Sequence, residues 1–272
     1  MVATSTTSPA SPSNVGRITW PIAEGPTAAR GYDEAMTSAN RWRMMIENDP
    51  EHSHRYAQRW KDMAAAGHDL GGEARFLDAM AQRGSRILDA GCGTGRVGGL
   101  LDAAGHDVVG VDLDPYLIAQ AQRDFPTASW SVGDLEALDP QAYGAPFDIV
   151  FSAGNVLGFL DPELRPGAVA RMAALLAPGG RLVTGFGAGR GYAFEDFLHD
   201  QRAAGLAIDL TLSTWDLRPF APDAGFLVCV ASRPEGSEAS TAQAPTAQAG
   251  EDSPERPPLS REAGAPAGRR LL

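Results

Sequence analysis

The stretch 87–98, ILDAGCGTGRVG, holds the residues whose types and spacing could do chemistry. An apolar run ends at Asp89, and Gly91, Gly93 and Gly95 follow at alternate positions. Without Cβ atoms, these glycines let the backbone turn tightly and approach a ligand, presenting N–H groups at the start of the next helix. Gly93, Gly95 and Gly98 also form a GxGxxG pattern, which is a weak sign by itself. Asp112 strengthens it by ending the next apolar run, 23 residues after Asp89. A carboxylate there can accept hydrogen bonds from both hydroxyls of a ribose. Asp134, in SVGDLEAL after a third run, can accept from the amino group of an adenine. Three carboxylates at consecutive strand ends point to a nucleoside ligand.

The elements that must position them follow from the pattern. Short apolar runs alternate with helical segments, which predicts βαβ units and a parallel sheet. Strands are expected at 85–89, 106–112, 128–132, 147–152 and 181–186, the last after a turn at APGG. Helices are expected at 96–104, from Pro115 onward, at 167–176 and at 192–204. Asp114, directly before Pro115, is placed to cap its helix. Leu206, Ile208, Leu210 and Leu212 then alternate with smaller or polar residues, as in a half-buried strand, and FLVCVAS follows as its antiparallel hairpin partner. Two helices, at 51–66 and 72–82, precede the first strand. The first carries Tyr56, Trp60 and Met63 at helical spacing, read as packing against the sheet, with a lid over the site as the alternative.

Composition narrows the function classes. Of the formal charge of −11, only −2 belongs to the segment 234–272, so the body carries −9. That acidity works against general nucleic-acid binding. Lys61 is the single lysine, so Schiff-base chemistry would rest on it alone. Cys92 and Cys229 show no metal-ligand spacing, no metal site is expected, and a reducing cytoplasm suits them. No run approaches the ~18 apolar residues of a membrane span. The Pro/Ala/Ser-rich composition divides the chain into a partly disordered extension over 1–38, one domain over 39–233 and a disordered tail over 234–272.

Five motifs together carry a family resemblance over roughly residues 59–233: LDAGCGTGR, VVGVDLDP, VGDLEAL, FDIVFSAGNVLGFL and LLAPGGRLVTGF. In this order and spacing the sequence resembles the class I S-adenosylmethionine-dependent methyltransferases. The resemblance implies an α/β, Rossmann-like, seven-stranded sheet of order 3-2-1-4-5-7-6, strand 7 antiparallel, with helices on both faces. It implies S-adenosyl-L-methionine as cofactor. Asp89 would then lie near the methionine amino group, with Gly91, Cys92, Gly93 and Gly95 along the aminoacyl portion. Asp112 would take the ribose, Leu113 one face of the adenine, and Asp134 and Leu135 its edge. Ser152 and Ala153 would pass beside the transferable methyl. Cys92 is read as a small residue filling the turn rather than as a nucleophile.

A general base is required only for a weakly nucleophilic acceptor that holds a proton. Asn155 and Tyr192, which follow strand ends, and His54, in the helix ahead of the first strand, are the candidates. No NPPY or DPPY element follows the fourth strand, and no large insertion follows the fifth, so a small-molecule methyl acceptor is expected. Two other readings stay open here. One is a non-catalytic module that binds S-adenosylmethionine or a partner. The other is an NAD-dependent dehydrogenase, for which no Tyr-x-x-x-Lys pair is present.

Overall fold

The computed structural model describes residues 40–236. The expectations for 1–38, and for 234–272 apart from its first three residues, lie outside the described residues. Seven strands, β1 (Arg86–Ala90), β2 (Asp107–Asp112), β3 (Ser129–Val132), β4 (Phe147–Ser152), β5 (Leu176–Gly187), β6 (Ala207–Leu212) and β7 (Phe226–Ser232), form one sheet. Its order is β3-β2-β1-β4-β5-β7-β6, as the family resemblance implies. Neighbours are parallel except β7, which runs antiparallel to both β5 and β6. Three helices precede β1: α1 (Arg41–Asn48), α2 (His52–Ala65) and α3 (Gly72–Met80). The crossovers carry α4 (Arg96–Ala103), α5 (Pro115–Asp124), α6 (Val156–Phe159), α7 (Arg165–Ala174) and α8 (Phe194–Ala203). Among the described residues, no helix is long and apolar enough to cross a membrane.

The continuous apolar runs of the central strands have a simple cause, since both faces of the sheet are covered. One core joins Leu88, Val150, Leu182, Phe186 and Cys229 to Val169, Met172 and Phe197 of α7 and α8. The opposite core joins Ile87, Ile149, Phe151, Val183 and Val228 to Leu77, Val97, Leu101 and Ile118 of α3, α4 and α5. Successive strand residues thus alternate between two buried faces. The turn expected at APGG is built as an irregularity inside β5, where pairing with β4 shifts between Phe147 and Ile149.

The edge strand β6 departs from simple alternation. Ile208 pairs with Ala231, but Leu210 pairs with Val230, so a bulge at Asp209 switches faces. Ile208 packs on the α7–α8 side, Leu212 reaches the opposite core, and Leu210 is left 43% exposed. The connection to β7 drops Trp215 onto Gly185, where a Cβ would stand 2.4 Å from the indole. A similar fit holds at Gly110 of β2, where a Cβ would lie 2.2 Å from the ring of Trp130. That ring is pinned by a 2.8 Å bond from its Nε1 to the Phe125 carbonyl. Gly110→Ala is therefore expected to cost about 2 kcal/mol or more through overpacking. A urea midpoint equal to wild type would show that the indole can move aside.

Candidate active site

Past the end of β1, Gly91 and Gly95 take left-handed conformations, with φ of +82° and +76°. Gly91 is also sterically required, because a Cβ there would fall 2.4 Å from Val156 Cγ1. The N–H groups of Gly91 and Cys92 both donate to the Val111 carbonyl, at 2.8 and 3.0 Å, folding the turn across the end of β2. There the Asp112 carboxylate accepts from Gly93 N (2.8 Å) through one oxygen and from Asp114 N (2.9 Å) through the other. Burial pushes its pKa up to about 6 despite those two donors. Asp89 is buried at the base of the turn and accepts from Gly98 N at 3.1 Å. Burial pushes its pKa up to about 8. Burial also raises the Cys92 thiol well above its usual value, which suits a filler and not a nucleophile.

Of the three N-terminal helices, α1 and α2 close over this turn, and α3 is fastened to the start of α4. Tyr56 places its hydroxyl oxygen 3.5 Å from where a Cβ on Gly93 would stand. Its ring meets Trp42 and Trp60 edge-on, so Tyr56 covers the glycine turn rather than the sheet. That places Tyr56 as the lid alternative described it. Two buried carboxylates moor the cover. Asp114 caps α5 through Tyr116 N (2.9 Å) and Leu117 N (3.4 Å), and also accepts from Trp42 Nε1 (3.0 Å) and Ser53 Oγ. Glu73 of α3 holds Arg96, the first residue of α4, through contacts of 2.7 and 3.0 Å. The Arg96 guanidinium also lies 4.5 Å from the Trp60 ring centroid. These moorings were not singled out from the sequence; an arginine directly after GTG was the available signal for one of them.

The remaining predicted residues divide. Leu113 packs with Trp42, Tyr56 and Leu117 at the rim of the turn. Asp134 caps a short 3-10 turn through Glu136 N (3.0 Å) and forms an ion pair with Arg43 (2.8 Å). The Leu135 side chain is turned into the core, which leaves only its backbone for a ligand. Ser152 is buried with no protein partner for its hydroxyl, and Ala153 is half-buried beside it. Asn155 accepts from Gly187 N at 2.9 Å, tying together the ends of β4 and β5.

Two candidates are corrected. Tyr192 donates its hydroxyl to Asp200 and packs its ring on Phe186 and Phe197, so it is a core residue. Burial, with the Asp200 charge, drives its pKa far above the usual tyrosine range. His54 lies exposed and stacked on Tyr116 at 3.9 Å, whereas Tyr56, two positions on in the same helix, covers Gly93. Helical periodicity makes both outcomes local, since residues two apart point to different sides.

Comparison with known proteins gives the same class. A family model described as a methyltransferase domain matches residues 87–180. A crystal structure of a TehB-like SAM-dependent methyltransferase from Corynebacterium glutamicum is 51% identical, over 68% of this chain and 100% of that one, with a TM-score of 0.66. Among curated relatives, malonyl-[acyl-carrier protein] O-methyltransferase of Erwinia billingiae is 30% identical over 151 residues, 56% of this chain and 56% of that protein. Trans-aconitate 2-methyltransferase of Methylobacterium nodulans is 34% identical over 100 residues, 36% of each chain. The chain thus spans about half or less of the length of these two relatives. It belongs to the S-adenosylmethionine-dependent methyltransferase family, with the seven-stranded fold of class I.

Because folding raises the Asp89 pKa from 3.8 to about 8, the folded chain holds that proton more tightly than the unfolded chain. The stability linked to it is full below about pH 4 and is lost as pH rises through about 8. Asp89→Asn should flatten the fall of the denaturation midpoint across that window. An equally steep fall in the variant would assign the dependence to other groups.

Proposed function

We propose that the chain transfers a methyl group from S-adenosylmethionine to a small-molecule acceptor at the carboxyl edge of β1, β2, β4 and β5. The observation that carries this reading is the Asp112 carboxylate. It is fixed by two backbone donors beside a glycine turn that Tyr56 covers at Gly93. A carboxylate has about four lone-pair sites, so two stay available for ribose hydroxyls. Asp89, beneath the same turn, gives a carboxyl group suited to a cationic amino group. The residues present therefore fit the cofactor.

When bound, S-adenosylmethionine supplies a methyl group on a positively charged sulfur, open to in-line attack. The chain's own task is to align the partners and keep water out. Asp112 would hold the ribose, while Gly91, Cys92, Gly93 and Gly95 would line the aminoacyl end. Leu113, Asp134 and the Leu135 backbone would border the adenine. Ser152 and Ala153 would run beside the methionyl group, where the Ser152 hydroxyl still needs a partner. Tyr56 would exclude water from above. Asn155, with Oδ1 on Gly187, keeps its Nδ2 for an acceptor atom. No side chain is assigned as a base, and an acceptor already deprotonated near neutral pH needs none.

The name of the Methylobacterium nodulans relative gives trans-aconitate, a small molecule, as its acceptor, which supports that class of substrate. The acidic body supports an acceptor other than nucleic acid. Two cysteines that are both free and buried support a cytoplasmic setting.

Calorimetric titration with S-adenosylmethionine, S-adenosylhomocysteine and NAD tests the cofactor, and radiolabelled transfer into a metabolite pool tests the reaction. Binding of NAD alone would sink the proposal. Asp112→Ala should lose at least ~1.4 kcal/mol of cofactor affinity, about tenfold. In the wild type, affinity for S-adenosylhomocysteine should fall as pH drops through about 6, where the Asp112 carboxylate takes up its proton. Asp112→Asn should abolish that dependence.

A further inference from the structure

The rim beyond β4 and β5 carries arginines with no ion pair among the described residues, although the body as a whole is acidic. Arg190, in the loop after β5, lies along Gly187. A Cβ on Gly187 would stand 3.5 Å from Arg190 Cγ, 3.7 Å from its Nε and 3.5 Å from Asn155 Oδ1. The equivalent point on Gly191 is 2.9 Å from Arg41 Nη1, at the start of α1, and 3.4 Å from Arg165 Nη2. Arg41 and Arg190 are exposed, and neither has a hydrogen-bond or ion-pair partner among the described residues. Arg165 is buried and directs its N–H groups to the carbonyls of Leu160, Gly158 and Gly191, with its guanidinium 5.0 Å from the Tyr192 ring centroid. The acids that act on it electrostatically, Asp161 and Glu136, are engaged elsewhere, by Glu163 N and by Asn40 Nδ2 with Asp161 N.

Arg41 and Arg165 thus meet at Gly191, and Arg190 lies beside Asn155 at Gly187, four residues earlier; among the described residues none of the three has an ion pair and Asn155 Nδ2 has no partner. Like charges held together raise the local potential and concentrate anions. Guanidinium forks match planar or tetrahedral anionic oxygen groups geometrically. The rim also adjoins the strand ends where open sheets of this kind take their ligands.

We propose that the methyl acceptor carries an anionic oxygen group, a carboxylate or a phosphate, clasped by Arg41 and Arg190 with Asn155 Nδ2 as a further donor. This rests on the methyltransferase reading and narrows its substrate to anionic small molecules.

The test uses the full chain saturated with S-adenosylhomocysteine. Citrate and inorganic phosphate are titrated calorimetrically, at about 0.15 M salt, into wild type and the double variant Arg41→Gln/Arg190→Gln. Both positions are exposed, and a thermal melt checks that the variant folds. The expected result is anion binding weakened at least about tenfold, with S-adenosylhomocysteine affinity unchanged and partial recovery when Lys replaces Arg190. Citrate binding better than phosphate points to a carboxylate, and the reverse order to a phosphate.

In parallel, a cell-extract metabolite pool is split on an anion exchanger, and each fraction is offered with radiolabelled S-adenosylmethionine. Label entering the retained fraction, and cut about tenfold or more in the double variant, supports the proposal. Label confined to the flow-through, or undiminished in the variant, overturns it while leaving the methyltransferase reading standing. Cofactor binding with no label in either fraction sinks the methyltransferase reading instead. The titration then decides alone, and anion binding equal in both proteins, or absent from both, overturns the proposal. Loss of S-adenosylhomocysteine affinity in the double variant also overturns it, because the arginines would then serve the cofactor's own carboxylate.

Discussion

The two N–H groups that Asp112 receives, one from Gly93 and one from Asp114, tie the turn after β1 to the end of β2. Most of the site depends on that junction. The Val111 carbonyl completes it by accepting from Gly91 and Cys92, so the turn is fastened to the neighbouring strand by both backbone and side chain. The cost is a carboxylate drawn out of water, visible in its raised pKa. Asp89, deeper and more strongly shifted, takes the same strain on the β1 side. Two carboxyl groups held short of full solvation gain from any ligand that brings hydroxyl donors and a cationic amino group. The electrostatics of the turn and the chemistry of the cofactor are therefore complementary.

The same junction extends to the N-terminal helices. Asp114 lies two residues past Asp112, caps α5 and receives Trp42 and Ser53. A single buried carboxylate thus joins a helix start in the sheet domain to the cover above it. Trp42 then reaches Tyr56 and Phe159 edge-on, which brings α2 and α6 into one aromatic cluster. Glu73 and Arg96 make a second, separate fastening at the start of α4. With two buried anchors, the cover is a built part of the site and not a loose flank.

Beyond β4 and β5 the balance of charge reverses. The edge at β1 and β2, proposed for the cofactor, holds carboxylates, while the rim around 187–191 holds arginines and an amide. Asn155 lies on the boundary, bracing Gly187 through its oxygen and leaving its nitrogen to the open side. An edge that is acidic towards one ligand and basic towards the other can hold a cationic cofactor and an anionic acceptor side by side. Their mutual attraction would help alignment.

The terminal antiparallel hairpin and the carboxylates at the strand ends were legible in the sequence because each rests on local chemistry, whereas the full sheet order came only as what the family resemblance implies. Glycine spacing fixes a turn, apolar runs fix strands buried on both faces, and Asp114 before Pro115 fixes a cap. The failures were those of direction. Tyr192 and His54 had suitable types and positions, yet one turned into the core to meet Asp200 and the other out to stack on Tyr116. Tyr56, read as core with a lid as the alternative, covers Gly93. The bulge at Asp209, which sends Leu210 to the surface, has no counterpart in the alternating pattern. Contacts such as Trp42 to Asp114, or Arg41 beside Gly191, join residues far apart in the chain. By itself, the sequence determined the alternation of strands and helices, the glycine turn and the acidic residues at the strand ends, since local spacing encodes them. Only the tertiary structure decided which side chains cover the turn and which turn into the core, because both depend on how distant elements pack.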